Sequence, residues 1–169
     1  NGNPAISYYD ATRGLLRFIG STLVTQLCPG GNSSILSNLT GINYQWQLNT
    51  GTGFVNISDN ANYAGTNTNT LQLTNIPSSW YGYQYRCVVD GLNSSVFPLR
   101  FLNTWTGTVD SAWENPLNWT CGSVPDANSD VVLGSGNVIL NSNGICRTFK
   151  ASPGVNFTVN SGFNLMIVH

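Results

Sequence analysis

Residues 76–87 read IPSSWYGYQYRC, one tryptophan and three tyrosines crowded up to a cysteine. Such a cluster is either a platform on which a sugar ring stacks or the inside of a β-structure. Side chains alternate faces along an extended strand. Tyr83, Tyr85, Cys87 and Val89 therefore share one face, and Gln84, Arg86 and Val88 share the other. One face is aromatic and apolar while its reverse is largely polar, which is the pattern of a half-buried strand. The tyrosines are read as core.

Working outward, the runs STLVTQL (21–27), NYQWQLN (43–49), TLQLTNI (70–76) and VFPLRFL (96–102) are also strand-sized and separated by Gly, Asn and Pro clusters. Their spacing predicts an antiparallel sandwich. Charged residues are only 8% of the chain, far below the roughly 25% of an average soluble domain, which argues against long helices. The six basic residues are scattered, so no surface is expected to neutralise nucleic-acid phosphates. No apolar run approaches the roughly 18 residues of a membrane helix. Without a signal segment at Asn1, the sequence reads as a mature or excised piece. Four cysteines without C-x-x-C spacing fit an exported, disulfide-bonded protein better than a metal or redox site.

Beyond residue 102 the character changes. Trp105, Trp113 and Trp119 arrive at close intervals, followed by DVVL, NVIL, RTFK, NFTV and NLMIV with small-residue turns between them. Short strands at such regular spacing predict a β-roll or short β-solenoid, with a second sandwich-like sheet as the alternative. The three tryptophans are read as a cluster capping its apolar end. An exposed carbohydrate-binding patch, in which Trp80 is the fourth candidate, is the competing reading.

The blocks CPGGNSS, YQWQ, YAGTNTNTLQLTNI and GYQYRCVVDG occur in order, with Trp46 between Cys28 and Cys87 and Tyr85 two residues before Cys87. Over residues 22–102 they resemble the immunoglobulin-like modules of exported surface proteins of Bacteroidetes. Residues 105–133, WTGTVDSAWENPLNW…VPDANSDVVL, are similar to a W-x-G…W…NW…P…D segment of large bacterial adhesins. The chain departs from antibody-type domains in lacking an acidic residue before Y-x-C. Cys28 also precedes Pro29-Gly30-Gly31, ahead of the second core strand at 34–36. The resemblance implies a Cys28–Cys87 bridge, which leaves Cys121 and Cys146 for each other.

The expected architecture is all-β. An immunoglobulin-like antiparallel sandwich spans 1–102, with 1–17 a linker or donor segment, and a Trp-capped β-roll or short solenoid spans 103–169. The resemblance implies a non-catalytic adhesion or spacer module, extracellular or on the cell surface and exported by the type IX route. Its partners would be other modules of the same protein and surface polysaccharide. A carbohydrate-binding module on a hydrolase, or a fibre subunit assembling by strand addition, are the alternatives.

Catalysis is not expected. The carboxylates are scattered and the single histidine is His169, the last residue. No cofactor is expected beyond one calcium candidate. Asp126, Asn128 and Asp130 stand as D-x-N-x-D, but Val131 occupies the place of the loop glycine and Asn137 that of the bidentate glutamate. A polar turn is the simpler reading.

Overall fold

The computed structural model describes residues 7–10, 15–18 and 27–168. Strands β1 (Ser7–Asp10) and β2 (Leu15–Phe18) pair antiparallel as a two-stranded sheet. The remainder of the segment read as a linker or donor lies outside the described residues. So do His169 and, except for Leu27, the strand expected at 21–27. The described residues are all-β, built from several sheets, none of them closed into a barrel.

The first unit holds β3 (Ser33–Leu36), β4 (Tyr44–Asn49), β5 (Phe54–Asn56), β6 (Tyr63–Ala64) and β7 (Thr70–Leu73). It continues with β8 (Gln84–Val89), β9 (Leu92–Asn93) and β10 (Phe97–Pro98). Two antiparallel sheets result, one ordered β3-β7-β6 and the other β10-β8-β4-β5, with β9 also on β8. Alternation decides what faces in. Along β8, Tyr85, Cys87 and Val89 are buried while Gln84, Arg86 and Val88 are partly exposed. Trp46 pairs with Cys87 across β4–β8 and is completely buried. Its indole Nε1 donates to the Thr68 carbonyl at 2.9 Å, so burial leaves no donor unmet. Leu71, Leu73 and Tyr63 of one sheet and Trp46, Tyr85, Cys87 and Val89 of the other form a single core.

The second unit is parallel. Strand β11 (Phe101–Trp105) lies beside β12 (Ser129–Leu133), and β12 beside β15 (Thr148–Ala151). Strand β13 (Asn137–Leu140) pairs with β16 (Asn156–Val159), and β14 (Gly144–Cys146) with β17 (Leu165–Ile167). The chain thus makes two successive three-strand rungs, β12–β14 and β15–β17. Asp130 sits against Thr148, Asn137 against Asn156 and Gly144 against Leu165. Strand β11 and an isolated parallel bridge between Ala112 and Ile139 form the start of a preceding rung. Because strand side chains alternate, the first rung turns Val131, Leu133, Val138, Leu140 and Cys146 inward, and Phe149, Phe157 and Leu165 of the second pack against them.

Strand β11 serves both cores, burying Phe101 in the first and Trp105 in the second. The expected boundary between 102 and 103 therefore falls inside a continuous strand.

Candidate functional site at the junction of the two units

The expected disulfides are corrected by the structure. Cys28 is bonded to Cys121, with Cα atoms 5.3 Å apart, while Cys87 and Cys146 are free and buried. The reason is positional. Cys28 ends the approach to a Pro29-Gly30 turn, and Cys121 sits in the turn after Trp119, so both lie at the junction. Cys87 and Cys146 point into two different cores and cannot meet their expected partners. Burial raises the Cys87 thiol above its ordinary value, and pushes Cys146 up to about 11 with help from the Asp130 charge. Both are poor nucleophiles near neutrality, because the reactive form is the thiolate.

Next to the bridge, a polar network crosses from one unit to the other. The Tyr81 hydroxyl donates to the Asp130 carboxylate, 3.0 Å from each oxygen. Arg100 Nη1 donates to the Tyr81 hydroxyl oxygen at 2.9 Å and lies 3.7 Å from Asp130 Oδ2. Thr148 Oγ1 donates to Asp130 Oδ1 at 2.8 Å. The guanidiniums of Arg100 and Arg147 sit 5.7 and 5.1 Å from the Tyr81 ring centre, within cation–π range. Burial, then the hydrogen bond to Asp130, hold the Tyr81 hydroxyl above its ordinary value, so it stays a donor. Tyr81 lies before β8 and escapes the alternation argument. Its partner is 49 residues away, and no sequence signal joins the two.

The calcium candidates are not assembled into a site. Asp126 Oδ1 accepts from the Asn128 amide at 2.9 Å and from Ser129 Oγ at 2.8 Å, a local turn. Asp130 is engaged in the junction network instead. Among the described residues no three His, Cys, Asp or Glu side chains are grouped to hold a metal ion.

Three of the four carbohydrate candidates are interior. Trp105, Trp113 and Trp119 are at most 5% exposed. They meet edge to face, with Trp119 centred 5.1 Å from Trp105 and 4.7 Å from Trp113, a favoured aromatic geometry. Trp119 Nε1 donates to the Trp113 carbonyl at 2.8 Å. Rings so enclosed offer no face to a sugar. The fourth, Trp80, is half-buried and stacks on Tyr63 at 5.5 Å and Tyr83 at 5.6 Å.

The W-x-G…W…NW residues explain one another physically. A Cβ on Gly107 would stand 2.8 Å from Trp105 Nε1, and Gly107 has φ +57°, so glycine alone fits beneath that indole without strain. Asn118 is completely buried. Its Oδ1 accepts from the Val109 and Asp110 amides at 3.0 and 3.3 Å. Its Nδ2 donates to Asp110 Oδ1 at 2.7 Å and the Ala112 carbonyl at 3.1 Å. One side chain thereby closes the loop that delivers Trp113.

An apolar cavity of about 270 Å³ opens between the edges of the first unit's two sheets, beside Leu27, Ile35, Leu73, Phe97 and Leu99.

A family described as a domain of unknown function, DUF8693, matches residues 104–169, the stretch from within β11 through the last rung. No curated protein and no solved structure matches the chain.

Proposed function

We propose that this chain is a non-catalytic adhesion or spacer segment of a large bacterial protein that is secreted or displayed at the cell surface. In it an immunoglobulin-like sandwich is followed by the start of a β-solenoid. The observation that carries the reading is the junction, where a disulfide, a shared strand and the Tyr81–Asp130–Arg100 network tie the two units into one body. A junction with few cross-links favours relative motion between units. This one favours a stiff connection, the property a spacer needs.

For the sandwich, support comes from two antiparallel sheets sharing one core around Trp46, with Tyr85 two residues before Cys87. For the solenoid, it comes from the in-register parallel rungs. Export is supported by the disulfide. Assignment to the type IX route of Bacteroidetes rests on the sequence resemblance. Of its four tryptophan candidates, the carbohydrate-module reading retains Trp80, which is partly exposed and stacks on the partly exposed Tyr83.

The test is a glycan and polysaccharide array probed with the purified chain and a Trp80→Ala variant, run beside urea unfolding followed by tryptophan fluorescence and far-UV circular dichroism. The spacer reading expects no saturable glycan binding and coincident transitions from the two probes. Saturable binding lost in a folded Trp80→Ala variant, or two separate transitions, overturns it.

A further inference from the structure

The rung β15–β17 ends the stack of described strands. We propose that it receives a further parallel β-rung of the same kind, continuing the stack in the same direction. Four observations identify that occupant.

Equivalent positions of the two rungs differ sharply in burial. Leu140 and Cys146 are 0% exposed, whereas Val159 and Ile167, which pair with them in register, are 39% and 40% exposed. Val131 and Val138 are buried, and their counterparts Phe149 and Phe157 are only half-buried. The first rung is covered on both sides and the second on one.

Each of β15, β16 and β17 is also the last strand of its sheet. The amides of Asn156 and Asn160 donate back to the carbonyls of Gly136 and Leu140. Backbone groups alternate direction along a parallel strand, so the Phe157 and Val159 amides point away from the stack.

Free sheet edges are ordinarily guarded by charges, proline or bulges. Between Thr148 and Val168 the sequence carries one charge, Lys150, and one proline, Pro153.

The side-chain ladder, finally, has a polarity. Asn156 Nδ2 donates to Asn137 Oδ1 at 2.9 Å, and Asn160 Nδ2 donates to Asn141 Oδ1 at 2.6 Å. Each side-chain amide of the second rung thus directs one of its two Nδ2 hydrogens to the first rung. Asn156 and Asn160 Oδ1 have no donor among the described residues and form an acceptor-terminated end. A following parallel rung with asparagines in register presents Nδ2 donors to them. A second copy meeting this surface end to end presents the same acceptors, so oxygen faces oxygen. The ladder therefore favours a further parallel rung over a symmetric dimer, and this holds whether or not the chain binds glycans.

The test extends the whole chain with a duplicate of residues 147–168 and compares it with the parent by amide hydrogen exchange and sedimentation. The expected result is at least about tenfold slower exchange at the Phe157 and Val159 amides in the extended chain. A second extended chain carries Asn156→Asp and Asn160→Asp in the duplicate only, which removes the donors, and loses most of that protection. Unchanged exchange in the first extended chain overturns the proposal. Equal protection in both extended chains overturns the ladder as the basis of recognition. A parent chain that dimerises with the Phe157 and Val159 amides already protected overturns it in favour of a second copy.

Discussion

Replacing Cys28 and Cys121 together by serine removes the covalent tie at the junction and leaves every other contact in place. The bridge joins residues 93 apart in sequence. Loop-closure entropy for a loop of that length corresponds to about 4–5 kcal/mol of stability. For a chain of this size, each kcal/mol shifts the midpoint by roughly 2–4 °C, so the double variant melts roughly 8–20 °C lower. Cys87 and Cys146 lie in separate cores, so no substitute bridge forms while the fold is intact. The assay is a pair of thermal melts by circular dichroism, with a non-reducing peptide map of the parent chain. The map should yield a Cys28–Cys121 cross-linked fragment. A midpoint within about 2 °C of the parent, well under what loop closure predicts, or a map linking Cys28 to Cys87, would refute the reasoning.

Three further outcomes follow from the geometry. Gly107→Ala places a methyl against the Trp105 indole at a positive φ, and should cost about 1–3 kcal/mol with altered tryptophan fluorescence on melting. Asn118→Leu leaves the Val109 and Asp110 amides without their acceptor; a loss of at least about 2 kcal/mol in urea titration is expected. Burial raises the hydroxyls of Tyr85, Tyr63 and Tyr81 above the ordinary 10.0. The unfolded chain therefore releases those protons first, and the stability they confer is complete below about pH 10 and falls as pH rises beyond it. Urea midpoints measured from pH 8 to 11.5 check this, and Tyr85→Phe should flatten the fall.

How much of this was legible depends on range. Strand β8 was readable because one sheet face is buried and the other is not, so parity alone assigns Tyr85, Cys87 and Val89 to the interior. The regular short runs after residue 129 likewise announce stacked rungs, since each turn must return the next strand to the same face. Cysteine pairing was not legible. It depends on which loops meet at the junction, and Cys28 and Cys121 meet only once both units are folded. The parity that buries Cys87 is also what deprives it of a partner. Tyr81 and Asp130 illustrate the same limit, because a hydrogen bond between a turn and a distant strand leaves no periodicity to detect. The tryptophans of the second unit were readable as a group but not as a geometry. Their dependence on Gly107 and Asn118 emerges only when the indoles are placed.

The Cys28–Cys121 bridge also fixes how tension travels. A pull that enters before Cys28 and leaves after Cys121 crosses the sulfur–sulfur bond and bypasses the 93-residue loop. The first unit, together with β11 and the tryptophan loop, then hangs beside the load path as a pendant, and the rungs β12–β17 carry the force. Reducing the bond puts that loop in series. Once the first unit and the tryptophan loop both yield, the tether lengthens by roughly 300 Å at about 3.3 Å per residue, which makes the reach of the segment a function of its redox surroundings.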